Sequence, residues 1–289
     1  MHDDPVLTVT RGDLTFDVHE HGSGDDVPVL LLHGFPQRGT AWDEVAQRLA
    51  AHGYRTLAPD QRGYSPCARP RGRSAYRLTD LVGDALAVVD ALVGAAGRVH
   101  VVGHDWGAAV AWHLAARHPD RVRSLTAVSV PPPATYVRSL FTTRQALASW
   151  YVYALQLPAL PERVLRADDR PFSPALVAGL RRTGQGRTAA ERDAAGLADP
   201  AALTAAINWY RGGLRGTRGD VDPPVEVPTL FVWSDGDTAV TRQATELTQQ
   251  QVAGPFRYVE LRGVSHWILD ESPGQLADLI LDQMSEYPG

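Results

Sequence analysis

The stretch that most constrains this chain is Gly103-His104-Asp105-Trp106-Gly107, set between the apolar run Arg98-Val99-His100-Val101-Val102 and a helical pattern opening at Ala108. Glycines two positions either side of a central residue let a strand turn into a helix in one tight corner, because no Cβ fills the inside of the turn. The apex residue is held in a strained conformation and presented outward. Here the apex is a carboxylate, Asp105. An Asp capping an ordinary helix and a nucleophile elbow are both open readings of this segment alone.

The flanking sequence predicts a sheet to carry the corner. Val6 to Thr10 and Leu14 to His19 alternate apolar and polar residues, as an antiparallel hairpin with one wet face does. Val27 to Leu32, Tyr54 to Pro59, Arg98 to Val102 and Arg121 to Val130 are more continuously apolar, the pattern of strands buried on both faces. Between them lie helical periods at Thr40 to His52, Tyr76 to Val93 and Ala108 to His118. Alternation of this kind predicts a mainly parallel sheet with helices on both faces and ligands at the carboxyl ends of the strands, where Phe35, Asp60 and Asp105 fall. In Asp60-Gln61-Arg62-Gly63, the Asp and Arg are read as bonding backbone and helix termini.

After Pro131-Pro132-Pro133 the pattern changes to helical periods over Ser139 to Leu155, Pro158 to Leu165, Pro174 to Arg182 and Pro200 to Leu214. Gly184 to Ala190 is polar enough to be mobile. Sheet character resumes with Val227 to Trp233, then a helix from Arg242 to Val252, a strand from Arg257 to Leu261 and a closing helix from Ser272 to about Met284.

Of the 289 residues 44% are hydrophobic and 21% charged, enough to bury a large core. A net charge of -5 argues against nucleic acid or an anionic membrane as partner. All 28 basic residues are Arg, which excludes Schiff-base and P-loop lysines. The single cysteine, Cys67, forms no intrachain disulfide and has no activating neighbour in sequence. An acidic start without an apolar leader, and no run approaching the roughly 20 apolar residues of a membrane span, point to the cytosol. His19 and His21 are spaced for a metal, but no third ligand accompanies them, so no metal is expected.

Three strand ends carry reactive side chains in the order Asp105, then Asp235 or Asp237, then His266. Nucleophile, acid and histidine in that order suit nucleophilic catalysis with an oriented base. The runs His33-Gly34-Phe35-Pro36, Asp60-Gln61-Arg62-Gly63-Tyr64-Ser65, Gly103 to Gly107 and Gly263-Val264-Ser265-His266-Trp267 resemble the epoxide hydrolase and haloalkane dehalogenase branch of the α/β-hydrolase fold, and most closely epoxide hydrolases.

That resemblance implies an α/β core, residues 1–130 and 220–289, with a helical cap, residues 131–219, inserted after the sixth strand. It implies no cofactor and a two-step reaction. Asp105 attacks a saturated carbon to give an alkyl-enzyme ester, and His266, oriented by Asp237, activates the water that hydrolyses it. The N–H groups of Phe35 and Trp106 would form the oxyanion hole. Tyr151 would protonate the departing oxygen, and Phe35, Pro36, Trp106, Trp150, Tyr153 and Trp267 would line a pocket for a small hydrophobic epoxide.

The second lid tyrosine of the family is missing. Its place falls near Asp193, leaving Asp193, Tyr153 or Tyr210 as replacements. Halide release is the alternative reaction, with Trp106 and either Trp150 or Trp209 as halide donors, and a binding or non-hydrolytic protein of the same fold is a third class. Arginines that would hold a fluoroacetate carboxylate are replaced by Trp106 and Val110. An apolar lid surface would suit a homodimer.

Overall fold

The computed structural model describes residues 6–23, 26–213 and 222–288. Eight strands form one sheet: β1 (Val6–Arg11), β2 (Leu14–His21), β3 (Val27–Leu32), β4 (Tyr54–Pro59), β5 (Val99–His104), β6 (Val122–Val128), β7 (Thr229–Gly236) and β8 (Phe256–Ser265). Their order is β1-β2-β4-β3-β5-β6-β7-β8. β1 and β2 are antiparallel to their neighbours, and the other pairs are parallel. The alternating strands take the edge, where one face meets water, while Leu30 to Leu32, Val101 and Val102 lie buried in the centre.

Helices α1 (Asp43–Ala50), α2 (Leu78–Leu92) and α3 (Trp106–Arg117) cross between the first parallel strands. Among the described residues seven more run between β6 and β7: α4 (Pro133–Thr142), α5 (Gln145–Ala148), α6 (Trp150–Ala154), α7 (Leu160–Leu165), α8 (Pro174–Arg182), α9 (Arg187–Gly196) and α10 (Pro200–Gly213). The short α11 (Arg242–Thr245) follows β7, and α12 (Ile268–Glu271) and α13 (Pro273–Glu286) follow β8. Among the described residues no helix is long and apolar enough to cross a membrane.

Several elements differ from the periodicity. The single helix expected over Ser139 to Leu155 is broken, because Thr143 adopts an extended backbone and its Oγ1 accepts the Gln145 N–H, capping a new turn. The polar stretch from Gly184 leads into an unpredicted helix, α9, with Gln185 and Ala190 buried. Arg242 to Val252 holds one α turn and then a 3-10 turn over Thr248–Gln251. β8 continues four residues beyond Leu261, so His266 follows directly on the strand end. The expected helix end at Leu214 and the 219/220 boundary lie outside the described residues.

Buried ion pairs tie the layers together. Arg62 donates from Nε and Nη2 to the two oxygens of Asp84 on α2, at 2.6 and 2.7 Å, and Arg11 of β1 reaches the same carboxylate at 2.7 Å. Arg62 also donates from Nη1 to the Ala75 carbonyl at 2.6 Å, at the end of the 3-10 turn Arg73–Ala75, and Asp60 Oδ1 accepts the Gly39 N–H at 2.8 Å at the start of the 3-10 turn Gly39–Trp42, so both residues bond backbone at helix ends. The Arg62 carbonyl accepts the Trp209 indole N–H from α10 at 2.7 Å. Every ion pair among the described residues uses arginine or histidine as its cation.

Candidate active site

Asp105 sits at the corner between β5 and α3 with φ 54° and ψ -121°, a conformation that side chains rarely adopt. The corner closes because a Cβ on Gly107 would stand 2.0 Å from the Leu32 carbonyl oxygen. One on Gly34 would stand 2.3 Å from Asp105 Oδ1. With that space empty, the Phe35 N–H donates to Asp105 Oδ1 at 2.8 Å, and the Trp106 N–H also bonds the carboxylate. Asp105 is only 9% exposed, so the corner presents it to an internal cavity and not to open solvent.

His266 reaches the same carboxylate from the end of β8. Its Nε2 lies 3.6 Å from Asp105 Oδ2, and its Nδ1 lies 2.7 Å from Asp237 Oδ2. The other Asp237 oxygen accepts the N–H groups of Ala239 and Val240 at 2.7 and 2.9 Å, so the carboxylate cannot swing away. Asp235 instead accepts the Gly263 N–H at 2.7 Å and takes no part in this line. His104, next to the apex, bonds the His266 carbonyl through Nε2 at 3.0 Å and fixes the loop.

Burial works to lower the His266 pKa, but the Asp237 charge, the Asp105 carboxylate at 3.6 Å and the hydrogen bond to Asp237 outweigh it and carry the pKa up to about 10. For Asp105 burial pushes upward, and the His266 imidazole at 3.6 Å with its charge overcomes it, holding the carboxyl below its ordinary range. Burial drops His104 to about 4.

The cavity over Asp105 is mostly apolar. The core contributes Trp106, Ala109 and Val130, and the helices between β6 and β7 contribute Tyr136, Tyr151 and Tyr210. Tyr210 packs edge-on against Phe35, Trp106 and Tyr151, with ring centroids 5.4, 5.2 and 6.1 Å away. Burial raises Tyr151 and Tyr210 well above the ordinary phenol value, so both are neutral donors at pH 7.

Other expected pocket residues lie elsewhere. Trp150 and Tyr153 are 68% and 51% exposed, because residues three apart share a helix face and theirs is the outer face of α6, opposite Tyr151. Pro36, joined to Phe35 by a cis peptide, is buried but does not line the cavity. Trp267 also lies behind it, edge-on to His266, with its indole N–H on Thr183 Oγ1 at 3.0 Å. Phe35 touches the site through its N–H and through Tyr210. Asp193 is buried away from the cavity, bonded to Arg192 and Gln185, so it cannot serve there as a proton donor. Of the three candidate replacements, Tyr210 alone reaches the cavity wall.

Tyr136 reaches it too, and no motif singles it out. The sequence leaves Tyr136 between Pro131-Pro132-Pro133 and the helical period opening at Ser139, whereas the structure places it on α4.

A family model described as the alpha/beta hydrolase fold matches residues 27–273. The chain is 33% identical to AB hydrolase superfamily protein YfhM of Bacillus subtilis, the match covering 96% of each chain. It is 31% identical to Epoxide hydrolase A of Mycobacterium tuberculosis over 92% of each. Among solved structures, Epoxide Hydrolase A from Mycobacterium thermoresistibile superposes with a TM-score of 0.79 at 25% identity, covering 97% of this chain and 98% of that one. Epoxide hydrolase VrEH1 from Vigna radiata superposes with a TM-score of 0.81 at 26% identity over 98% of each. With a carboxylate at the elbow and relatives of this kind along almost its whole length, the chain belongs to the α/β-hydrolase fold family, as an epoxide-hydrolase-like hydrolase.

Proposed function

We propose that the protein opens a small hydrophobic epoxide to a vicinal diol through an ester on Asp105. Asp105 Oδ2 forms a bond to one epoxide carbon as the ring C–O bond breaks, its electron pair staying on the departing oxygen. The Tyr151 phenol gives that oxygen its proton. Esterification removes the Asp105 charge that favours the imidazolium, so His266 gives up its proton, which passes through water to the Tyr151 phenolate, and becomes a base. It then takes a proton from water, whose oxygen attacks Asp105 Cγ. The tetrahedral oxyanion forms at Oδ1, which already accepts the Phe35 N–H, with the Trp106 N–H bonded to the same carboxyl group. Collapse breaks the bond from Cγ to the substrate-bound oxygen, and the departing alkoxide takes the proton of the new carboxyl group, which releases the diol and restores the Asp105 carboxylate beside a His266 that keeps the proton taken from water. The seven helices between β6 and β7 act as the cap that carries the acid.

The observation that carries this reading is a carboxylate, rather than a hydroxyl, held between two backbone donors and an Asp-paired histidine, under neutral phenols. Halide release is the weaker reading. A departing halide needs N–H donors, yet Trp150 faces solvent and the Trp209 N–H is taken by the Arg62 carbonyl.

The test is mass spectrometry of a His266→Gln variant quenched after exposure to styrene oxide. The peptide carrying Asp105 is expected to gain the mass of the epoxide and keep it, while the wild type shows only traces. No adduct in the variant, together with no diol from the wild type, would sink the proposal.

A further inference from the structure

Behind the cavity lies a chain of buried hydrogen bonds whose direction is fixed at one end. Gln145, fully buried on α5, accepts the Thr241 N–H at its Oε1 at 2.8 Å and donates from Nε2 to the Ala239 carbonyl at 2.6 Å. An N–H can only donate and a carbonyl can only accept, so the amide has one possible orientation. The other Nε2 proton goes to Ser149 Oγ at 2.9 Å.

Ser149 is also fully buried, and its remaining side-chain partner is the Tyr136 hydroxyl at 2.7 Å. Nε2 of Gln145 offers no lone pair. The Ser149 proton therefore has one acceptor, the Tyr136 oxygen, and leaving it unpaired in a buried site would be costly. Accepting from Ser149, Tyr136 keeps its own proton free, for its other side-chain partner is Gln145, whose Oε1 already accepts the Thr241 N–H and Oγ1. Tyr136 lines the cavity that holds Asp105 and Tyr151.

We propose that Tyr136 is a second phenolic donor to the substrate oxygen, aimed by Gln145 and Ser149, in a chain that lacks the second lid tyrosine. This rests on the epoxide-opening reading above. As the ring C–O bond breaks, one phenol passes its proton to the oxygen while the other remains hydrogen-bonded to it. A phenolate formed at Tyr136 is held by the Ser149 O–H until the proton given up by His266 reaches it. Gln145 also joins this donor to the far side of the site, because the residues it grips are the loop on which Asp237 closes.

Two measurements test the assignment in the full-length protein. The carbonyl stretch of bound acetophenone, an unreactive ketone, reports hydrogen bonds donated into the cavity without any turnover. In the wild type it is expected below its frequency in hexane, to move part of the way back in Tyr136→Phe, and to move by a smaller amount in Ser149→Ala. Formation of the Asp105 ester from styrene oxide is expected to slow at least tenfold in Tyr136→Phe, within the usual reach of general-acid catalysis. A stretch that is the same in wild type and both variants, with the fold intact by circular dichroism, overturns the proposal, since a phenol bonded only to Ser149 would give that result. If Tyr136→Phe does not fold, Ser149→Ala alone decides it. Failure of the wild type to open any epoxide would defeat the hydrolase reading while the infrared shift still identified the donor.

Discussion

Asp105 and His266 share a proton balance that the reaction itself would upset. With Asp105 ionised, the imidazolium is favoured up to about 10, and a protonated histidine cannot take a proton from water. Converting Asp105 to an uncharged ester takes away one of the two charges that hold the proton on. His266 then becomes a base only after the first step is complete. Asp105→Asn mimics the loss of charge without the substrate, so the His266 pKa is expected to fall well below about 10 in that variant, as read by NMR titration of the imidazole nitrogens. An unchanged titration would mean that Asp237 alone sets the value. At this scale the sequence was legible wherever function is local. The apex, its two backbone donors and the histidine lie in short runs whose glycines and order carry the meaning. Tyr136 was not legible, because its role comes from Gln145 and Ser149, which are contacts through space on a surface that periodicity describes only as helical. Trp150 and Tyr153 misled for the converse reason, since aromatic character says nothing about which helix face turns inward.

Among the elements, the pairing of Arg62 with Asp84 joins the loop after β4 to the middle of α2, and through Trp209 to α10. Both charges are almost out of water, and the geometry is bidentate. Asp84→Ala leaves a buried guanidinium without its partner and is expected to lower unfolding stability by about 3–5 kcal/mol in urea melts. Replacing both residues with apolar ones of similar volume is expected to cost less than the single change. A loss below 1 kcal/mol in Asp84→Ala would show that Arg11 and solvent compensate. The strands and core helices were readable from apolar runs and their spacing. The helices between β6 and β7 were less so. Thr143 breaks one with a side-chain cap, and α9 hides its apolar stripe in alanines, whose small area gives the pattern little contrast.

For the molecule as a whole, pH acts through buried histidines. Burial lowers His33, His100 and His104 to about 4, whereas in the unfolded chain they titrate near 6.5. Their folded values lie below the unfolded one, so the stability they permit is complete above about pH 6.5 and is lost as pH falls from there to about 4. His33 shows why: its Nε2 accepts the Gln61 N–H, a bond that protonation destroys. On the order of 3 kcal/mol per histidine is at stake. Urea midpoints measured from pH 7 to pH 4.5 are expected to fall steeply, and a flat profile would show that these imidazoles take up protons in the fold as readily as in the unfolded chain.

The alkaline side follows from the guanidinium ion pairs. An ammonium begins to lose its charge near pH 10, whereas a guanidinium keeps it beyond pH 12, so none of the arginine links between core and helices loosens in moderately basic solution. What does titrate there is His266, whose raised pKa contributes stability that is complete below about 6.5 and disappears as pH climbs through about 10. Its deprotonation would weaken the ion pairs with Asp105 and Asp237 while leaving the distant scaffold fully charged. Base would therefore first loosen the reacting centre, and acid would first loosen the frame around it.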